Sequence, residues 1–347
     1  EPILNRDTQT VAAVHSGESV YVLSHVPAGT IRVSGFDPNE KPRTGTGDIL
    51  LTKCDRQTGL IAWRYVFDSP EHGEETPTIL TVAENGNLLI GGYTDAGKSP
   101  TGRVWGANDA NHLLVLTVSP GGDLLWTARW RSEVVGVADP PSGLVAGKSG
   151  AVYAFSRLFI ESGRHTDAVL VKFVPGRVAW VSRFAGEGTV VLCEPGGIVV
   201  DAAENITVCG AMATPNMLPV DDRLLLAQYS PEGKKRWLRR FFFGDKGQTG
   251  LHLLVRDPVD GSFFAAGASG VVRFDVSGAT VWQTEAGETF ARNAAAIVRP
   301  ERLALSKSGD LLLLYRPPLG TPFSRDTSRV MRFEKTTGAM IPSAEKE

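Results

Sequence analysis

The sequence predicts an all-β fold built from repeated four-stranded antiparallel units. A strand–turn–strand motif closing on a tryptophan recurs along the chain, and a second hairpin motif recurs between its copies. In addition, no window of about 11 residues or more shows the apolar spacing of a helix. Repeats of this length determine the architecture of a chain, so they are interpreted first.

The first motif is clearest in residues 48–63, DILLTKCDRQTGLIAW. An apolar strand leads into a tight turn at Gly59, and the returning strand ends at Trp63. Further copies occupy residues 111–126, 167–180, 222–237, 269–282 and, with isoleucine at the tryptophan position, 328–341. The tryptophans are separated by about 55 residues on average. Each copy therefore predicts one β-hairpin.

The second motif is represented by residues 79–94, ILTVAENGNLLIGGYT, in which an Asn-Gly turn joins two apolar strands. Its other copies lie at residues 11–26, 143–158, 197–212, 252–268 and 302–317. One repeat thus contains four strands, named A to D in chain order, and six repeats fill the chain. Such sheets repeated radially form a β-propeller.

We therefore predict one propeller domain over residues 1–347, with six blades and boundaries near residues 66, 130, 184, 241 and 287. Apolar residues occur on both faces of the C strands, as expected for a blade covered by its neighbours on both sides. Seven blades is the alternative, because residues 30–33, inside the long segment 27–47, have a β-like sequence.

The recurring tryptophans are predicted to be structural, because packing needs a copy in every blade whereas catalysis needs only one. An indole buries about 200 Å² and its N–H can reach a backbone carbonyl. The set is Trp63, Trp126, Trp180, Trp237 and Trp282. The polar residues that open the C-strand motifs are expected to hold turn backbone, and these are Asp48, Asn111, Asp167 and Asp222.

These motifs resemble two bacterial repeat families. The aspartate, apolar run, glycine and tryptophan of residues 48–63, followed by residues 79–94, look like the SBBP-type β-propeller repeat. The turn at residues 54–59 with Trp63 also resembles the PQQ-like repeat, in which a Thr-Gly turn and a tryptophan dock successive blades. Both resemblances imply a propeller, and neither implies one activity. Ile341 departs from the pattern, and the quinone and metal pocket of PQQ enzymes is not matched.

Charge and composition restrict the possible partners. The chain has 36 basic and 38 acidic side chains, which disfavours nucleic acid, and no apolar run is long enough for membrane insertion. The three cysteines, Cys54, Cys193 and Cys209, do not form a disulfide framework or a CxxC metal motif. The start at Glu1-Pro2 and the repeat type predict an exported bacterial protein, periplasmic or extracellular.

The connections between strands are unequal, and long loops on a rigid frame are where function concentrates. The A–B and C–D turns are short. The long B–C connections are residues 27–47, 95–110, 161–166, 213–221 and 318–327. The D–A connections are residues 68–77, 131–142, 185–196, 244–250 and 286–300. Ligands or partners are expected at the edge that these connections share.

Candidate binding residues within these connections are Arg103, Trp105, Arg164, His165, Arg325 and Asp326, since Arg and Trp are frequent at interfaces. The alternative is solvated arginines and a tryptophan covered by its own loop. The acidic stretch 68–75 offers Asp68, Glu71 and Glu74 as weak metal ligands. Its spacing matches no defined calcium loop, so a solvated acidic loop is expected.

Two classes of function remain open. The first is a non-catalytic exported scaffold that binds a protein or glycan partner through the long-connection edge. The second is a propeller enzyme, a hydrolase or lyase, with a metal or carboxylates at the central opening. The first is preferred because no convergent catalytic set is visible. No cofactor is predicted, and calcium is the one considered possible.

Overall fold

The computed structural model describes residues 8–27, 47–95, 112–132, 136–138, 140–160, 165–184, 192–213, 223–241, 251–267, 270–285, 299–316 and 329–341. In these ranges the chain forms 25 strands and one short 3-10 turn. No helix in the described ranges has the length and apolar character needed to cross a bilayer.

Two compact units divide the chain. The first comprises Glu1–Gly163 and Leu170–Val181, and the second comprises Arg164–Val169 and Ser182–Glu347. The first blade has strands β1 Gln9–Ser16, β2 Ser19–Val26, β3 Asp48–Asp55 and β4 Ile61–Phe67. The second has β5 Glu75–Val82, β6 Leu88–Thr94, β7 His112–Val118 and β8 Leu124–Trp130.

The third and fourth blades follow the same order. The third has β9 Gly136–Ala138, β10 Gly143–Ala146, β11 Val152–Ile160, β12 His165–Val174 and β13 Arg177–Phe184. The fourth has β14 Leu192–Val200, β15 Ile206–Ala213, β16 Arg223–Tyr229 and β17 Lys235–Phe241. A parallel bridge between Thr166 and Leu192 makes these two blades one nine-stranded sheet.

The last two blades are separate four-stranded sheets. The fifth has β18 Leu251–Arg256, β19 Phe263–Gly267, β20 Gly270–Phe274 and β21 Thr280–Glu285. The sixth has β22 Arg299–Leu305, β23 Leu311–Arg316, β24 Arg329–Phe333 and β25 Met340–Ile341. The predicted fold class, all-β with six antiparallel blades, is confirmed. The seven-blade alternative depends on residues 28–46, which lie outside the described part of the chain.

The third blade differs from the prediction in its A strand. The D–A connection 131–142, predicted to be loop, contains β9, which pairs with the end of β11, while β10 pairs with the beginning of β11. The A strand is therefore made in two pieces. The A–B turn that follows contains the 3-10 turn Lys148–Gly150, with Ser149 at φ 55°.

The core of each unit contains clusters shared by adjacent blades. In the first unit, Leu51 of β3, Leu88 of β6 and Leu116 of β7 are completely buried in one cluster, with Trp63 packed against it. In the second unit, Phe264 of β19 and Leu311 of β23 share a cluster with Trp282. These contacts bury both faces of strands that carry apolar residues on both sides.

D-strand tryptophans contact the C–D turn of the following blade in both units. The indole N–H of Trp63 donates to Pro120 O at 3.3 Å, and that of Trp282 donates to Lys335 O at 2.9 Å. Gly278 has φ 77°, and a Cβ there would lie 2.7 Å from Cζ3 of Trp237. The glycine that the turn requires therefore also makes room for the indole.

Candidate functional site

Three carboxylates meet where the first and second blades adjoin in the first unit. Asp48 opens β3, Glu75 opens β5, and Asp68 follows β4. The Glu75 backbone N–H donates to Gly47 O at 2.8 Å, which brings the two strand starts together. One carboxylate oxygen from each of the three residues lies within 4.8 Å of the others. We name these three residues the acidic cluster.

The turn after β4 orients Asp68 toward this cluster. The backbone N–H of His72 donates to Ser69 O at 2.8 Å, and His72 has a left-handed φ of 52°. Its ring Nδ1 lies 2.8 Å from Asp68 Oδ2. The Asp68 side chain is 8% exposed and the His72 side chain 66% exposed. The turn thus buries the carboxylate and leaves the imidazole at the surface.

Glu75 is the most enclosed member of the acidic cluster, with no exposed surface. Burial raises the pKa of the Glu75 carboxyl, and the nearby charge of Asp68 acts in the same direction. Hydrogen bonds from Thr94 Oγ1 at 2.9 Å and from the Ser69 backbone N–H at 3.4 Å oppose this rise in pKa. A proton on Glu75 or a bound cation would reduce the repulsion between carboxylates that lie this close together.

Calcium has suitable chemistry for this position, since it binds six to eight oxygen ligands and favours carboxylates. Of the metal ligands considered from the sequence, Asp68 belongs to the acidic cluster. Glu71 instead pairs with Arg129 at 2.7 Å, and the Glu74 backbone N–H donates to Asp95 Oδ1 at 2.7 Å. The expectation of a solvated acidic loop is wrong for Glu75, which is completely buried, while the Asp68 side chain is 8% exposed.

Sequence reasoning did not select Asp48 and Glu75 as members of one site. Glu75 belongs to the acidic stretch, and its position directly before an apolar strand was the available signal of burial. Asp48 was interpreted as a strand-start residue, like Asp167. In the third blade, Asp167 pairs with Arg183 at 2.6 Å, three residues after Trp180.

Replacing Glu75 with glutamine is expected to raise the free energy of unfolding at neutral pH by about 1 kcal/mol. The folded-state pKa of Glu75 is raised, so its stabilising contribution is complete below the unfolded pKa and is lost as pH rises through the folded pKa. Glutamine removes that loss, and its amide oxygen can still accept the 2.9 Å hydrogen bond from Thr94, although the longer 3.4 Å bond from the Ser69 N–H is given up. Urea unfolding of both proteins from acidic to neutral pH measures the effect.

The matched control is Glu74→Gln, which removes a carboxylate from the adjacent, more exposed position and is expected to change stability by less than about 0.5 kcal/mol. The Glu75 prediction is wrong if Glu75→Gln destabilises the protein at neutral pH. Stabilisation of the parent protein by millimolar calcium, absent in Glu75→Gln, would show that a cation rather than a proton compensates the cluster.

A mixed set of charges lies on the surface beside the acidic cluster. Glu71 and Arg129 are both partly exposed, at 41% and 34%. The hydrogen bond from Arg129 lowers the pKa of Glu71. Burial lowers the pKa of His112, and the charges of Arg131 and Arg129 add to this effect. In this part of the long-connection edge, the acidic cluster therefore lies beneath a surface that exposes both acidic and basic side chains.

The structure does not test the binding residues predicted from the sequence. Arg103, Trp105, Arg164, Arg325 and Asp326 lie outside the described residues. His165 is the first residue of β12, although it was predicted in a loop, and its side chain is not among those described. The proposed recognition surface therefore stays a prediction.

Cys209 is a buried, bonded thiol rather than a reactive one. Its sulfur accepts the Gly197 N–H at 3.2 Å and lies 3.8 Å from Leu253 O. Burial raises the pKa of Cys209 to about 12. In the pairing of β14 with β15, Cys193 is opposite Met212, and Cys209 is a free cysteine. Its contacts join the fourth and fifth blades.

Comparison with known proteins finds likeness to solved structures at low sequence identity. No family model matches the chain, and no curated protein matches it. A protein of unknown function from Bacteroides caccae has a TM-score of 0.47 and 10% identity, covering 84% of this chain and 88% of its own. A protein of unknown function from Dyadobacter fermentans has a TM-score of 0.47 and 12% identity, and the match covers 94% of this chain and 82% of that one.

A third solved structure is described as the β-propeller domain of the Trilobed protease from Pyrococcus furiosus. Its TM-score is 0.46 at 9% identity, and the match covers 97% of this chain and 83% of that one. The SBBP-type and PQQ-like resemblances remain expectations, since no family model supports them.

Proposed function

We propose that the protein is a non-catalytic scaffold that binds a protein or glycan partner through the edge of its blades where the B–C and D–A connections emerge. The observation that carries this proposal is that the opposite edge of the blades, where the C–D turns lie, takes part in contacts between blades. There, the C–D turns accept hydrogen bonds from the preceding blade, at Pro120 from Trp63 and at Lys335 from Trp282. That edge is occupied by blade docking, which leaves the long connections available for recognition.

The described part of the long-connection edge offers groups suited to polar recognition. His72 exposes an imidazole, and the preceding residue, Glu71, exposes a carboxylate. The guanidinium of Arg129 contacts that carboxylate directly and is also partly exposed. Glu71 and His72 lie on a turn that hydrogen bonds and the acidic cluster hold in place, and Arg129 lies near the end of β8. A preorganised charged surface of this kind reduces the entropy lost on binding.

The resemblance to bacterial export repeats supports placing the protein in the periplasm or outside the cell, and the near balance of charges supports a partner other than nucleic acid. No cofactor is needed if a proton compensates the acidic cluster, as the Glu75 experiment tests.

A photoreactive amino acid at position 72 tests the proposed edge. His72 lies in the D–A connection, and Glu84, in the exposed A–B turn of the second blade, provides the control position on the other edge. In a bacterial envelope extract or on a glycan array, we expect adducts from position 72 and not from position 84. Adducts from position 84 alone would contradict the proposal.

The enzyme alternative is favoured by one observation, the meeting of three carboxylates of unequal environment, because such groups can divide acid and base roles. It ranks second because Glu75, whose pKa is raised, has no exposed surface through which a substrate could reach it. Turnover of a glycoside or ester by the parent protein, abolished by Glu75→Gln, would favour it over the scaffold.

A further inference from the structure

The outer strand of the fourth blade carries an unusual concentration of positive charge. The C–D turn and β17 read KKRWLRR over residues 234–240. Five of these seven side chains are cationic, and all five are exposed: Lys234, Lys235, Arg236, Arg239 and Arg240. The whole chain has a net charge of −2, so this concentration of cations is a local feature and does not follow from an overall positive charge. We name this set the basic edge.

The cations that precede the repeated tryptophan distinguish the fourth blade, whereas Arg240 does not, because the residue three places after the tryptophan is also arginine at Arg129 and Arg183. The two residues before the repeated tryptophan are Ile61 and Ala62 in the first blade, and Leu124 and Leu125 in the second. In the fourth blade they are Lys235 and Arg236. Residues that recur from blade to blade serve packing, so Lys235 and Arg236, which occur in the fourth blade and have no charged counterparts before the other tryptophans, are not required by the blade fold. Blade packing therefore does not account for it.

Only part of this charge is engaged inside the protein. Arg239 donates to Ser277 O at 3.1 Å, lies over the Trp237 ring at 5.6 Å and contributes to lowering the pKa of Asp275. No carboxylate in the described residues forms a salt bridge with Lys234, Lys235 or Arg236. Like charges crowded on one strand repel each other, so an anionic partner would be attracted to them.

The same strand is the outermost described strand of its sheet. β17 pairs with β16 on one side, and no described strand pairs with its other side. Natural proteins place lysines on such edges to prevent strand addition. Edge protection is an insufficient explanation here, because the outer strands β4 and β8 are also sheet edges and begin with exposed apolar residues, Ile61 and Leu124.

We propose that β17 binds an acidic, extended segment of a partner protein, which adds to the fourth blade as a further strand. Backbone hydrogen bonds to the free edge of β17 would supply affinity, and carboxylates opposite Lys235 and Arg236 would supply specificity and register. This inference concerns a different surface from the proposed long-connection edge and does not depend on it.

A labelled synthetic peptide of about ten residues with alternating glutamate and valine tests the proposal by fluorescence anisotropy at low ionic strength. We expect saturable binding that weakens as salt is added. The double substitution Lys235→Glu with Arg236→Glu should weaken binding about tenfold or more. The matched control, Arg177→Glu with Lys307→Glu, makes the same charge change at exposed positions of other blades and should leave affinity nearly unchanged.

Two further measurements separate strand addition from general attraction of polyanions. The same peptide with proline at alternate positions keeps its charge but cannot form the strand ladder, and it should bind much more weakly. Hydrogen exchange should show new protection of β17 amides when the original peptide binds. Equal binding of the proline peptide, equal loss in the control variant, tighter binding of a sulfated oligosaccharide, or no binding by the parent protein would each overturn the proposal.

Discussion

Replacing Trp282 with alanine is expected to lower the free energy of unfolding by about 3 kcal/mol, toward the lower end of the cost for a truncated core aromatic. The indole is partly buried and is packed against the cluster that contains Phe264 and Leu311. Its ring centroid lies 5.9 Å from that of Phe264, and its N–H donates to Lys335 O at 2.9 Å. The substitution therefore removes both apolar packing and a hydrogen bond between the fifth and sixth blades.

The neighbouring Val281 provides the control, because it lies on the same strand and is 50% exposed. Val281→Ala is expected to change stability by no more than about 0.5 kcal/mol. Trp282→Phe should fall between the two, since it keeps an aromatic ring and loses the hydrogen bond, worth about 1 kcal/mol. Urea unfolding of the three variants measures these differences. Equal costs for Trp282→Ala and Val281→Ala would show that the indole does not hold the blades together.

The second large effect is expected at the glycine that faces the same indole. Gly338 has φ 72°, and a Cβ there would lie 2.5 Å from Cε3 of Trp282, closer than atoms can approach without displacement. Gly338→Ala should therefore destabilise the protein by about 3 kcal/mol. Of this, about 1 kcal/mol comes from left-handed backbone strain and the remainder from displaced packing.

Gly59 is a closely matched control for Gly338. It ends the same type of C–D turn, its N–H donates to Asp55 O at 3.0 Å, and the Gly338 N–H donates to Glu334 O at 2.9 Å. Gly59 also has a left-handed φ of 69°, but no described atom lies within 4 Å of the position of its Cβ. Gly59→Ala should cost only about 1 kcal/mol from backbone strain. A similar cost for both variants would contradict the role given to the indole.

The strands and blade number were predictable because their signals are local. Alternating or continuous apolar runs, bounded by turns such as Asn85-Gly86, need only a few neighbouring residues to be recognised. The predicted blade boundaries near residues 66, 130, 184 and 241 match the ends of β4, β8, β13 and β17. The recurrence of tryptophan also indicated which side chains face another blade.

The acidic cluster could not be derived in the same way. Asp48 and Glu75 open different strands in different blades, and only their three-dimensional pairing through Gly47 brings them together. The left-handed turn that orients Asp68 inward is formed at His72 rather than at a glycine, so the sequence gives no signal of it. The two-part A strand of the third blade was missed because β9 has only three residues, too few to show a period.

The basic edge illustrates a different limit. The run of cations at residues 234–240 is visible in the sequence, but its meaning depends on β17 being the outer strand of its blade. Repeats identify what all blades need, whereas functional candidates are the places where one blade departs from the others. The cations before Trp237 in the basic edge are a departure of this kind.

A double-mutant cycle between Trp282 and Gly338 tests most directly whether indole-to-turn contacts join successive blades. With alanine already at position 282, Gly338→Ala should cost about 1–2 kcal/mol, because backbone strain and the 2.8 Å approach of the new Cβ to Thr284 Oγ1 remain while the clash with the indole is gone. An unchanged cost of about 3 kcal/mol in that background would mean that the two residues act independently, and the account of blade docking would be wrong.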